Sequence, residues 1–166
     1  FSIRPGGGQT PRNVDALGKA YILDRAAEAA LNTSPSIDAL LLDIGGDIVT
    51  WGRSSEIAIV DPRACYDNAQ PLTTIAFRNK AVATSGTYAR GAHLTNARTG
   101  QSLRTAVAAT VVAADAVTAN ALATTLCLTK TDPGLQLVES TPGAEAFRVA
   151  SGVLQRTSGF ALLERP

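Results

Sequence analysis

The sequence predicts an α+β fold: a mainly antiparallel sheet packed with about three helices. Three observations carry that prediction. Helical periodicity is confined to three segments, the strands between them do not alternate regularly with helices, and several neighbouring strands are joined by tight turns. A doubly wound parallel sheet would need a long crossover after each strand.

The opening run "FSIRPGGGQTPRN" reads as a strand end followed by a Gly- and Pro-rich loop. "VDALGKAYILDRAAEAALNT" then reads as a helix, with Asp15 as N-cap and Ala16, Leu17, Ala20, Leu23, Ala27, Ala30 and Leu31 forming one apolar face. Asn32-Thr33-Ser34-Pro35 stops it. "DALLLDIGGDIVTWG" reads as a buried strand, a Gly-Gly break and a second short strand. "EIAIVDP" alternates with period two up to Pro62, and "ACYDNAQ" is a polar loop. "PLTTIAFRNKAVATSG" reads as a hairpin, with strands over 72–78 and 81–84 about a turn at Arg78-Asn79-Lys80. "TAVAATVVAA" is a β-branched strand. Asp115 opens a second helix with Val117, Ala121, Leu122 and Leu126 on its buried side. A third, shorter helix starts at Asp132-Pro133 and closes near Gly143, and the chain ends in strands joined by turns.

The chain has 166 residues, 45% hydrophobic and 17% charged, which suits one globular domain over residues 1–166 rather than disorder. A net charge of +1 leaves no electrostatic footprint for nucleic acid. No segment reaches the roughly 18 consecutive apolar residues of a membrane span, and no signal-peptide pattern opens the chain. The absence of methionine suggests a processed N-terminus or a piece of a longer protein. Cys65 and Cys127 lack zinc spacing and read as two buried free thiols, with one disulfide as the alternative.

Four segments carry candidate chemistry. In "DIGGDIV", Gly45 and Gly46 allow close approach of a backbone and Asp47 follows at the turn; on these residues alone a β-bulge or tight bend is the favoured reading. In "ALGKAY", Gly18 and Lys19 lie in the first turn of a helix, where free amides and an ammonium suit an anion, or the lysine is merely solvated. The run 83–100 holds Thr84, Ser85, Gly86, His93, Asn96, Arg98, Thr99 and Gly100. Small hydroxyl residues with glycines suit a phosphate-binding turn, arginine adds a donor fork, and histidine can move a proton. A polar hairpin loop with an exposed histidine is the other reading. In "NALAT", Asn120 and Thr124 share a helix face and offer two hard oxygens for Mg²⁺, or are ordinary residues of an alanine-rich helix.

Taken in order, these segments resemble the ApbE family, the FAD:protein FMN transferases once described as thiamine-biosynthesis lipoproteins. "ALGKAYILD" is similar to the family's A-L-G-K-G-Y-A-L-D, "DIGGDIV" to its N-L-G-G-D-I, and Asp61-Pro62-Arg63 to its D-P-R. "AVATSGTY" is similar to A-V-A-T-S-G-D-Y, "HLTNARTG" to H-I-I-D-P-R-T-G, and "ATVVAADAVTANALATTL" to a strand and helix ending in D-A-L-A-T-A-L. The likeness runs from about residue 12 to 164 and covers the C-terminal part of the family's domain. Ala20 stands where the family has glycine, Asn96-Ala97 where it has Asp-Pro, and Asn120 where it has Asp.

The resemblance implies a T-fold-like architecture that is incomplete without an N-terminal part, supplied by a missing segment or a second chain. It implies transfer of FMN from FAD, the substrate, to a Thr or Ser hydroxyl of a target flavoprotein, with release of AMP. Mg²⁺ would be held by the Ala16 carbonyl, Asn120 and Thr124. His93 would contact the pyrophosphate or move a proton, and Lys19, Gly45, Gly46, Asp47, Ser85, Gly86, Arg98, Thr99 and Gly100 would line the nucleotide site. The alternatives are a degenerate FAD- or nucleotide-binding protein and one chain of a split site. Family habit places such proteins in the bacterial cell envelope or periplasm, with the cytoplasm as the alternative.

Overall fold

The computed structural model describes residues 15–61, 63–64, 68–87, 94–96, 100–103 and 105–165. Three α-helices pack with two antiparallel sheets, as the α+β reading expects: α1 (Asp15–Thr33), α2 (Ala116–Leu128) and α3 (Thr131–Glu139). The strands are β1 (Leu40–Ile44), β2 (Asp47–Trp51), β3 (Ser55–Ile59), β4 (Thr73–Phe77), β5 (Ala81–Gly86), β6 (Val107–Ala113), β7 (Glu145–Ala150), β8 (Val153–Arg156) and β9 (Glu164–Arg165). Six of them form a sheet in the order β1-β2-β5-β6-β7-β8, and β3-β4-β9 form a smaller one.

The large sheet has helices on one face and the small sheet on the other. Every residue of β6 is buried as a result. Val107, Ala109, Val111 and Ala113 join the helix-side core, whereas Val112 joins Phe147, Phe160, Ile75 and Phe77 between the sheets. This is why "TAVAATVVAA" reads as apolar throughout rather than alternating. Small residues bring the helical layer close: Ala81, Ala83, Ala109, Ala116, Ala119, Ala123 and Ala146 are all fully buried in that core. Of the face expected for the second helix, Leu122 and Leu126 are buried but Val117 is only partly so. Ala116, Ala119 and Ala123 of the same helix are fully buried in that core, a role that hydrophobic periodicity does not detect.

Several sequence expectations change. Strands 72–78 and 81–84 are not hairpin partners: β4 pairs with β3 and β9, whereas β5 pairs with β2 and β6. The turn at 78–80 is a corner between sheets. Asn79 takes a left-handed φ of 53° there, its Oδ1 accepts from the Gly52 amide at 2.7 Å, and Lys80 O accepts from the Thr50 amide at 2.9 Å. The corner is therefore pinned to the end of β2. β1 is an edge strand with alternating exposure rather than a buried one, and Leu41 is exposed. Leu17 lies on the outer side of α1 with Tyr21 and Ile22. α3 begins one residue before Asp132, with Lys130 at the N-cap position and no side-chain cap. The N-terminal run falls outside the described residues.

The N-terminus of α2 is held by two carboxylates. Asp115 caps it as expected, accepting from the Thr118 amide at 2.8 Å. Asp24 of α1 reaches across and accepts from the Ala116 and Val117 amides at 2.8 and 3.1 Å. Charge-assisted bonds to otherwise unpaired helix amides fix the angle between α1 and α2. We predict that Asp24→Ala lowers stability by about 1–2 kcal/mol in urea unfolding. The exposed Arg25→Ala change should stay within about 0.5 kcal/mol. Equal effects from the two would refute the capping role.

Candidate functional site

Asp47 opens β2, faces the helical layer and is 3% exposed. Its Oδ2 accepts from Asn120 Nδ2 at 2.9 Å, and Asn120 is itself 5% exposed. An ionised carboxylate can only accept, so Asp47 dictates which way the amide turns. The nitrogen faces the acid, and Oδ1 remains as the acceptor. One helical turn later, Thr124 Oγ1 meets Ser85 Oγ at 2.9 Å.

Strand register explains the second pair. Asp47 lies opposite Ala83 on β5, so Ser85, two residues on, shares its face. Asn120 and Thr124 are four apart on α2 and point the same way. The two strand side chains thus meet the two helix side chains in register. Cys127, three residues beyond Thr124, extends the stripe: its Sγ donates to Ser85 O at 3.2 Å. Burial pushes the Cys127 thiol up to about 12, against smaller opposing effects from the Arg148 cation and a backbone hydrogen bond.

Gly45 and Gly46 form the β1–β2 turn with φ of 61° and 92°, and the Gly46 amide donates to Asp43 Oδ1 at 3.0 Å. Both glycines are exposed and serve the hairpin geometry itself. Gly86 is buried after Ser85, opposite Ala108. Lys19 is half-buried in α1 and joins no ion pair among the described residues. Ala16 lies in the first turn of α1. Gly100 has a φ of 68°, its amide donating to Asn96 O at 2.8 Å. Thr95 and Ser102 form an isolated antiparallel bridge next to the buried Leu94. His93, Arg98, Thr99 and Cys65 lie outside the described residues; Cys127 is a free, buried thiol, as expected.

The arrangement brings together Asp47, Ser85, Asn120 and Thr124. The pairing of Asp47 with Asn120 was not readable from the sequence, where the two lie 73 positions apart. Cys127 was open to detection, at a helical spacing of seven from Asn120. Asp47, Asn120 Oδ1 and Thr124 Oγ1 are hard oxygen donors with one formal negative charge, a set that suits Mg²⁺ and not Zn²⁺. Among the described residues no group of three or more His, Cys, Asp or Glu side chains could hold a metal.

The ApbE family model matches residues 9–148. No curated protein matches. Among solved structures, the ApbE protein of Thermotoga maritima is 29% identical, with a TM-score of 0.77 over 93% of this chain and 53% of its own. The flavinyl transferase ApbE of Pseudomonas stutzeri is 24% identical, with a TM-score of 0.72 over 91% of this chain and 50% of its own. The flavin transferase ApbE of Vibrio cholerae is 21% identical, with the same TM-score and 52% of its length covered. The last two likenesses show the fold. The chain spans about half the length of each. No helix among the described residues is long and apolar enough to cross a membrane.

Cys127 should behave as an inert thiol. We predict that its peptide stays unmodified by iodoacetamide at pH 8 in the folded protein and reacts once the protein is unfolded. A thiol with an ordinary value of 9.0 and a folded value of about 12 contributes stability that is complete below pH 9 and lost as pH rises towards 12. The wild type should lose up to about 1.4 kcal/mol per pH unit more than Cys127→Ala in that window. Parallel stability curves from pH 8 to 10.5 would contradict this.

Proposed function

The chain belongs to the ApbE family, and on that premise we propose that it acts in Mg²⁺-dependent transfer of FMN from FAD to a Thr or Ser hydroxyl of a target flavoprotein. The target oxygen attacks the phosphorus on the FMN side of the pyrophosphate. The bond from that phosphorus to the bridging oxygen breaks, AMP leaves with the bridging oxygen, and the hydroxyl proton passes to a base. Little covalent chemistry falls to the protein, so positioning and charge neutralisation dominate.

One observation carries the reading: the buried Asp47–Asn120 pair and the half-buried Ser85–Thr124 pair beside it, which join three separate sequence motifs in one cluster. Asp47, Asn120 Oδ1 and Thr124 Oγ1, with the Ala16 carbonyl, would hold the cation. Bound there, Mg²⁺ supplies positive charge against the pyrophosphate. His93 is the residue proposed to take the hydroxyl proton. Arg98, Thr99, Gly100, Ser85, Gly86 and Lys19 would position phosphate oxygens, and the Gly45-Gly46 turn would lie near the nucleotide. A segment or second chain equivalent to the other half of the longer relatives would close the flavin cleft.

A second reading, nucleotide binding without transfer, is favoured by the Asn120–Asp47 hydrogen bond. The amide already satisfies the acid that would otherwise call for a cation. Incubating the chain with FAD, Mg²⁺ and a threonine-bearing target separates the two. A covalent FMN mass gain on the target supports transfer; retained FAD without mass gain supports binding alone; neither result refutes both.

Residue 120 gives a second test. We predict that Asn120→Asp, which sets two carboxylates against each other, lowers Tm in EDTA. Mg²⁺ should restore it, with affinity roughly tenfold above wild type, about 1.4 kcal/mol. A Tm that ignores Mg²⁺ would remove these residues from the metal site.

A further inference from the structure

A cavity of about 470 Å³ lies where the α2–α3 junction faces the start of β6 and the β7–β8 hairpin. It is bounded by Cys127 on the side of the cluster described above. Arg148 of β7 lines it and is 8% exposed. Its Nε donates to Leu126 O at 3.2 Å, and its Nη1 donates to Thr131 Oγ1 at 2.9 Å and Gln155 Oε1 at 2.8 Å. All three acceptors are neutral, so among the described residues this buried cation has no carboxylate partner.

A guanidinium has five N–H donors, and these bonds leave the two on Nη2. Among the described residues no fully buried side-chain nitrogen or oxygen lacks a partner. The Nη2 group therefore keeps access to solvent, and the cavity is the open space beside it. Lys130, exposed, also lines it, no Asp or Glu does so among the described residues, and Val107, Leu128 and Val153 supply apolar wall. An open, partly apolar cavity lined by two cationic side chains, with no acid among the described residues, suits an anion with an apolar body.

We propose that this cavity binds a phosphomonoester with an apolar or aromatic body, its phosphate on Arg148 Nη2 and its second charge facing Lys130. A dianion matches two cations and a planar donor, where a carboxylate would match only one. The proposal rests on Arg148 and the cavity and is independent of flavin transfer.

Calorimetric titration of the 166-residue chain with phenyl phosphate, at constant ionic strength in chloride, tests it. Saturable one-to-one binding is expected. Arg148→Lys, which keeps the charge but loses the fork, should weaken it by about tenfold or more with unchanged far-UV circular dichroism. Lys130→Gln should weaken it about threefold and flatten its salt dependence. Lys130 is exposed, so this variant still reads out should Arg148→Lys fail to fold. Absence of saturable binding, binding that Lys130→Gln leaves unchanged, or benzoate bound as tightly as phenyl phosphate overturns the proposal.

Discussion

Strand β6 is covered on both faces, and everything near the candidate site depends on how closely α2 can lie across it. The helix carries Ala116, Ala119 and Ala123 towards strands that present Ala81, Ala83 and Ala109. Alanine against alanine lets the backbones approach further than leucine would, and interiors packed at crystal density leave little slack. Only at that separation can the short side chains of Asn120 and Thr124 reach Asp47 and Ser85 directly. Asp24 and Asp115 hold the other end of the same helix, so its position is set by packing along its length and by charge at its start.

The polar stripe on α2 would be destabilising if left unpaired, since each buried polar group costs free energy without a partner. In this fold each member finds one on a strand. Asn120 donates to Asp47, Thr124 pairs with Ser85, and Cys127 donates to the Ser85 carbonyl. The Asp47–Asn120 pair holds one carboxyl group. The family's aspartate at position 120 would make it two, and two carboxylates at that distance need a proton or a cation between them. The residue at position 120 therefore sets the charge of the cluster, a question of electrostatics rather than of side-chain shape.

The legible part of the fold follows one rule. Elements were readable where local pattern and burial agree, as in β3, β6, the Asp115 cap and the two-glycine turn after β1. They were misread where a long-range partner decided. Residues 72–84 look like a hairpin because two apolar runs flank a polar turn, yet Phe77 and Val82 both pack between the sheets and the chain turns a corner instead. Leu17 continues an apolar helical face by spacing but lies outside the contact with the sheet. Asp24 resembles any polar residue on a surface helix until α2 is placed beside it.

By itself the sequence determined the α+β class, the order of most elements, and the motifs that mark Lys19, Asp47, Ser85, Gly100, Asn120 and Thr124, because periodicity, turn chemistry and motif spacing are local properties. Tertiary structure alone decided that β4 and β5 belong to different sheets, that Asp47 holds the amide of Asn120, and that Arg148 is buried with no acid beside it among the described residues. The physical reason is the same in each case. These outcomes depend on which strand faces which helix at a few ångströms, and that follows from the packing of alanines and the register of strands that are far apart in the chain.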